Sequence, residues 1–564
     1  MLRKLLVLLL FFVFDVLHAQ QLDVAEAVRL FVGDAEVETL DPTQVETLYG
    51  LYIRPIDINH ASRPMLESTG LFSPFQLSSL IDYRNRHGYI MSMAELSSVD
   101  GFTSKIVSVL VPFISVEPQL QDNRRVDYFS GDIDLRYGYK VDQSKGVNKS
   151  MYGMKAKMSY AEKFTLALAM TEPYDSLHLY PTVYSASLSW QHMSGKVVIG
   201  DFNARFGQGL CVWNTASFSS LNSPSSFMKR PSGIAVVNSF TGSTALTGLA
   251  ADFAIGRWRV SAMLPVSGIK QIVKYPEKLQ LVPTVNLVRY GRFGHLGCTH
   301  MMAFSSFLSG DYRIPQMRTS FDGSCCLRGV NLFGEGVYDW VDGKFSVMAG
   351  SEYAIAENIR AASQVRYLPT SNEHGMAHAI ESSWRVHQFI ASIDALYHPQ
   401  SKSKDGSESY QIRGQANWVW KISPIWQTRV RIAERYRTWG LDSKTEMRVE
   451  TTCVYGKWKG TIRADALYGH SHAGLAYVEA GYLTGKLTAY VRYGMFHVDN
   501  WDDRIYVYER DAPGNFNVPS FYGRGLWVSA YLAYKPAEWC KLYVRGVYKK
   551  PGNAELKLYC SLRF

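Results

Sequence analysis

Three short stretches of this 564-residue chain hold side chains at spacings that chemistry uses. His470-Ser471-His472 sets two imidazoles two residues apart, which a strand would turn to one face as a pair of metal ligands. No carboxylate or third ligand nearby completes that set, and the segment reads as a loop between two strands. Asp499, Asp502 and Asp503 offer oxygens to a calcium ion, which needs six or more; a solvated acidic loop is the simpler reading. Gly207-Gln208-Gly209 looks like part of a phosphate-cradling turn, but no strand-to-helix context follows it. In a sheet, such glycines mark bends or bulges. Serine and histidine are plentiful, yet no G-x-S-x-G elbow occurs. The seven cysteines, Cys211, Cys298, Cys325, Cys326, Cys453, Cys540 and Cys560, are too few and too scattered for a disulfide framework, and they lack metal-ligand spacing. With no catalytic residue, metal set or cofactor motif standing out, the expectation is a protein that binds or conducts and is not an enzyme.

Composition narrows the class of scaffold. Hydrophobic residues make up 47% and aromatic residues 13%, which excludes disorder. The longest charge-poor apolar run, residues 5–14, falls well short of the roughly 20 residues that a helical span requires. Arg3 and Lys4 before that run and Ala19 after it read as a secretory signal peptide over residues 1–19. Charge is distributed unevenly. Residues 20–53 hold seven acids (Asp23, Glu26, Asp34, Glu36, Glu38, Asp41, Glu46) against Arg29 alone, and residues 54–113 balance. The chain's formal net charge of +10 therefore belongs to the large C-terminal part.

Residues 20–115 carry helix punctuation. Asp41-Pro42 is a cap followed by proline at the first helical position, with Val45, Leu48, Tyr49 and Tyr52 at helical spacing after it. A second helix starts after Ser62. A third is capped by Ser73, opens on Pro74, buries Leu77, Leu80 and Ile81, and ends at Gly88. Ser92-Met93-Ala94-Glu95 is a capping box, and a last helix runs over 104–110, closed by Pro112. Two tight turns join these helices, at residues 70–73 and 100–103.

The order of residues in 57–110 resembles the tandem helix-hairpin-helix domain of the periplasmic competence DNA receptor. Asn59, Ala61, Ser62, Leu66, Gly70, Ile81, Tyr83, Arg84, Gly88, Ile90, Leu96 and Gly101 fall on its pattern. The resemblance implies DNA binding, in which hairpin N–H groups meet phosphates at helix N-termini. The residues implied are Gly70, Leu71, Phe72 and Ser73 in one turn and Gly101, Phe102, Thr103 and Ser104 in the other, with Lys105 and Arg63 as phosphate partners. The second glycine of each family hairpin is replaced here, by Phe72-Ser73 and by Thr103. A neutral segment also has little counterion release to drive binding. Arg84 and Arg86 read as a solvated helix face with Asp82 one turn from Arg86, and His60 and His87 as surface or capping histidines.

From about residue 126, alternation with period two replaces helical spacing. Leu556, Leu558, Cys560, Leu562 and Phe564 oppose Glu555, Lys557, Tyr559, Ser561 and Arg563. Trp458, Ile462, Ala464 and Tyr468 oppose Lys459, Arg463 and Asp465. Met447, Val449 and Tyr455 oppose Arg448 and Glu450. Such segments are about ten residues long, with aromatics at their ends and turn residues between. That is the pattern of a transmembrane barrel, apolar toward lipid and polar toward the lumen, and on the order of 18–22 antiparallel strands are expected. The closing Phe564 is similar to the terminal signature that the barrel assembly machinery reads. Residues 200–214 (GDFNARFGQGLCVWN) and 502–526 (DDRIYVYERDAPGNFNVPSFYGRGL) resemble recurring blocks of a Bacteroidetes-type family in which a helix-hairpin-helix region precedes an outer-membrane barrel.

The fold expected is thus α plus membrane β: a signal peptide (1–19), an acidic helical segment (20–53), a helix-hairpin-helix module (54–115) and an outer-membrane barrel (125–564). The function expected is uptake or transport, with the module on the periplasmic side binding DNA or another anionic polymer. Two alternatives stay open: the module as a protein-interaction domain or plug of a barrel porin or scaffold, and an outer-membrane enzyme with an unrecognised site. The partners implied are outer-membrane lipid and the barrel assembly machinery, with DNA and periplasmic proteins as the module's alternatives.

Overall fold

The computed structural model describes residues 24–32, 42–116 and 129–564, apart from internal segments at 143–145, 162, 175–180, 193, 215–220, 241–244, 268–279, 292, 306–312, 403–405, 441–442, 513–514, 516 and 551. The signal peptide therefore lies outside the described residues.

Among the described residues six helices come first: α1 (Val24–Phe31), α2 (Pro42–Ile53), α3 (Arg63–Ser68), α4 (Pro74–His87), α5 (Met93–Leu96) and α6 (Ser104–Leu110). The caps read at Ser73 and Ser92 are formed, Ser62 precedes α3 without a side-chain cap hydrogen bond, and Asp41 lies outside the described residues. Ser73 and Gln76 form a reciprocal capping box at α4, and Thr103 caps α6 by accepting from the Ile106 N–H. Gly70 and Gly101 take the left-handed φ that the turns need, 66° and 85°. Gln76 joins α4 to the turn at Gly101, its Nε2 donating to the Gly101 carbonyl at 2.9 Å. One apolar core spans the whole set, drawing Val28 and Phe31 from α1, Leu48 from α2, Leu66 from α3, Leu77 and Leu80 from α4, and Leu110 from α6. The short strands Ile56–Asp57 and Ile114–Ser115 pair in parallel and close the module.

The rest is a closed antiparallel barrel of twenty-four wall strands, sealed where Phe129–Asp142 pairs with Asn553–Arg563. Two additional short strands belong to it. Gln280–Leu281 continues Thr284–Tyr290 across Pro283, and Gly233–Val236 pairs with the inward end of Gly195–Arg205. The expected α plus membrane β class is what the chain adopts, with more strands than the 18–22 expected. The reason lies in the connections. At one end they are as short as two residues, as at Arg328-Gly329, where φ is positive at both positions (49° and 82°) and fits the twist of a tight hairpin. Connections this short leave room for more strands in the same length of chain.

The faces follow the alternation in the sequence. Leu556, Leu558, Ile462 and Val449 are exposed on the outer wall, whereas Arg545, Arg463, Glu450 and Tyr559 are buried on the inner one. Exposed aromatics cluster near both ends: Phe129, Tyr160, Trp258, Trp384, Trp458 and Trp539 by the short turns, and Tyr184, Tyr410, Tyr436 and Tyr468 by the longer loops. Phe564 is half exposed, stacks on Phe129 at 5.6 Å between centroids, and hydrogen-bonds the backbone of Gly131.

Candidate functional site: the occupied lumen

A barrel of this size has a lumen wide enough to pass or hold a second body. Here the helical module makes its contacts with the inner wall, near the short-turn end. Glu26 of α1 accepts from Arg429 at 2.6 Å, and Arg29, one turn later, donates to Glu450 at 3.1 Å. Lys155 donates to Glu46 of α2 at 3.1 Å. Glu67 of α3 is buried against Arg259 and accepts from the Tyr290 hydroxyl at 3.1 Å. Lys105 at the start of α6 pairs with Glu381. Ser78 of α4 donates to the Gly291 carbonyl at 3.4 Å. These wall residues lie on six strands spread around the circumference and on one turn.

The pairs share a layout. Each wall charge that meets the module also has a wall partner of its own: Arg429 with Glu450, Arg259 with Asp252, Lys155 with Asp134, and Glu381 with Arg360. The electrostatics at Glu26 show what docking does. Burial opposes its ionisation, but Arg429 and Arg29 beside it hold the carboxyl down to about 2 from its usual 4.5.

From the other end, two long connections fold inward, and they are the two segments 200–214 and 502–526. The first parts from the neighbouring strand Val183–His192 at Gly200 (φ 108°), where any Cβ would run into the Ala186 carbonyl at 2.1 Å, and stays paired with Leu246–Ile255 as far as Phe202. It then forms the turn at Gly207-Gln208-Gly209. The N–H groups of Gln208, Leu210 and Cys211 donate to the carboxylate of Glu335 at 2.8, 3.0 and 3.2 Å. A Cβ at Gly207 would sit 2.9 Å from that carboxylate. The turn marked in the sequence as a bend therefore does cradle an anion, and the anion is the protein's own. Further along, burial pushes the Lys229 ammonium down to about 8, against the pull of Glu335. Arg230 donates to the Leu71 carbonyl at 3.1 Å and lies over the Phe31 ring, so this connection touches the module. In the second segment Arg510 pairs with Glu479 at 2.9 Å, Glu509 with Arg545, and Asp511 with Lys557 at 2.9 Å, while the Tyr508 hydroxyl contacts that of Tyr49 in α2. Both blocks stand out in the sequence as resemblances, and the resemblance gives no sign of what they do. The alternating acids and bases in residues 509–511 were the available signal.

The candidate residues of the hairpin turns are distributed as follows. Leu71, Phe72 and Phe102 are buried in the module core, and Gly70 and Gly101 supply the turns. Ser73 and Thr103 are helix caps, and Ser104 opens α6. The Arg63 guanidinium lies 3.6 Å over the Tyr290 ring, and Lys105 meets Glu381. Arg84 donates to the Ala61 carbonyl at 2.8 Å, Arg86 pairs with Asp82 at 2.8 Å, and His60 meets Asp57. Asn59, matched only as a motif position, is a clamp: its side chain is buried and bonds Ile90 through both N–H and carbonyl, and the Val116 carbonyl besides. His470 and Ser471 lie in the turn before the strand His472–Leu483, and Ser471 donates to Asp503. Asp499 pairs with Arg524 and His497. Among the described residues no group of three His, Cys, Asp or Glu side chains is placed to hold a metal.

No protein-family model and no curated protein matches the chain. Among solved structures it is similar to the copper transporter OprC (9% identity, 77% of this chain and 80% of that one, TM-score 0.40). It is also similar to the siderophore receptor PirA from Pseudomonas aeruginosa (6%, 78% and 81%, 0.42) and to the P pilus usher PapC translocation pore (8%, 77% and 99%, 0.37). At these scores the likeness adds nothing to what the strand register already gives.

Proposed function

We propose that the chain is a non-catalytic outer-membrane transport barrel whose helical module is a releasable plug. The observation that carries this reading is the repeated layout of module charge, wall charge and second wall charge at Glu26–Arg429–Glu450, Glu67–Arg259–Asp252, Glu46–Lys155–Asp134 and Lys105–Glu381–Arg360. Removing one partner of a buried pair is normally costly because a charge is left uncompensated. Here undocking leaves each of these wall charges with a wall partner. That is what a plug that must leave requires, and a permanently fixed domain does not need it. The apolar outer wall with its aromatic belts supports placement in the outer membrane, with the short-turn end and the module toward the periplasm. Because Lys105 and Arg63 face the wall, the hairpin turns lack their phosphate partners, which favours the plug over a DNA-receiving module.

The test is conductance in planar bilayers. Glu26→Gln together with Glu67→Gln removes charge from the module only, and each lost charged hydrogen bond weakens docking by about 1.5–3 kcal/mol. Openings of the double variant are expected to be far more frequent than those of the unaltered chain. Equal conductance at equal reconstitution would refute the plug.

A further inference from the structure

The inner wall is charge-balanced at the module and where the second connection meets it, but not along one strand above the module. The strand Trp426–Arg437 places arginine at four of the last five positions on its lumen face: Arg429, Arg431, Arg435 and Arg437. Ile432 and Tyr436, between them, are exposed on the outer face, which fixes the inward direction of the arginines. Register compounds the charge. Arg435 stands directly opposite Arg413 on one side and Lys444 on the other, and Arg431 stands opposite Arg448. Like charges directly across a ladder destabilise a sheet, so such a stack calls for a compensating anion. The wall does not supply one in full. Glu446 serves Arg431 and Lys444 at 3.3 and 3.7 Å, and Asp394, opposite Arg413, pairs with Arg366. Among the described residues Arg413 and Arg435 make no ion pair, with Asp502 and Asp503 of the inward connection acting on Arg435 only from a distance, while Arg437 donates to the neutral Gln411 at 2.9 Å and lies over the Trp439 ring, and Lys444 also donates to the Asp502 carbonyl at 3.3 Å. The Nε of Arg435 is shut off from solvent with no acceptor among the described residues.

We propose that Arg413, Arg435, Arg437 and Lys444 form a binding site for a multivalent oxyanion, carrying phosphate, sulfate or carboxylate groups, in the lumen above the plug. Rungs two residues apart on one strand are about 6.8 Å apart, a step that suits a solute with several anionic groups in a row. The lowest rung, Arg429, is the one that holds Glu26 of the plug. An anion descending the stair therefore meets the residue that the plug's own carboxylate occupies. The inference takes its meaning from the transport reading, but binding at the upper rungs requires no movement of the plug, so the two fail separately.

Calorimetric titration of the detergent-solubilised full chain with tripolyphosphate, at low and physiological salt, tests it. Saturable binding that weakens with salt is expected, and Arg413→Gln with Arg435→Gln should lower the affinity at least tenfold. Glu446→Gln, which frees Arg431 and Lys444, should raise it and guards against a folding defect in the first variant. No binding at low salt, or equal affinity in all three proteins, would overturn the site. Displacement of the phosphate by micelles containing phosphatidylglycerol would also overturn it, by placing the responsible cations on a lipid-facing surface.

Discussion

At the scale of single residues, Glu26 shows how the module is held. The usual carboxyl value is 4.5; with Arg429 of the wall and Arg29 of its own helix beside it, Glu26 is held down to about 2. Docking therefore favours the ionised form. The contribution is complete above pH 4.5 and is lost as the pH falls from 4.5 towards 2. Protease cleavage of the module in reconstituted protein is expected to rise through that window, and Glu26→Gln should remove the step. An unchanged profile in the variant would assign the acid sensitivity elsewhere. Single residues were unevenly legible in the sequence. Ser73 and Ser92 announced their caps because the signal and its partner lie three residues apart. Lys105 did not announce Glu381, nor Arg29 Glu450, because partners 276 and 421 residues away are joined only by the closure of the barrel.

At the scale of elements, the strands were readable because a wall between lipid and a polar lumen enforces alternation at every position. Leu558 lies mid-strand on the outer face and pairs in register with Val544 and Tyr137. Leu558→Arg is expected to cost about 2–4 kcal/mol near the bilayer midplane, whereas Lys557→Arg, which keeps a cation beside Asp511, should be tolerated. Heat-modifiable gel mobility of the two variants checks this, and equal effects would contradict the faces. The inward connections were less legible. Their residues neither alternate nor follow a helical period, since each is placed by a particular wall partner, as Gln208, Leu210 and Cys211 are by Glu335. The arginine period on Trp426–Arg437 stood in the sequence all along. Its meaning needed the neighbouring strands, which bring Arg413 and Lys444 level with Arg435.

At the scale of the whole molecule, the charge asymmetry of the chain has a physical outcome. The acid-rich segment before residue 54 supplies Glu26 and Glu46, and the basic barrel supplies Arg429 and Lys155 to receive them. Both halves of that complementarity were visible in the sequence, but not their meeting, because composition carries no information on what lies inside a barrel. The most direct measurement of the central claim is a crosslink between module and wall in intact membranes. In a chain whose seven native cysteines are replaced by serine, with Ser78→Cys in α4 and Gly291→Cys in the facing turn, where an added side chain meets, among the described residues, the Gly294 carbonyl at 3.6 Å, a short bis-maleimide should join the two. After cleavage at a protease site introduced within 117–128, the module should then stay attached to the barrel on a denaturing gel, and should separate from it when either cysteine is omitted. Separation of the module from the doubly substituted, reagent-treated protein would show that the helices do not sit in the lumen, and would contradict the account.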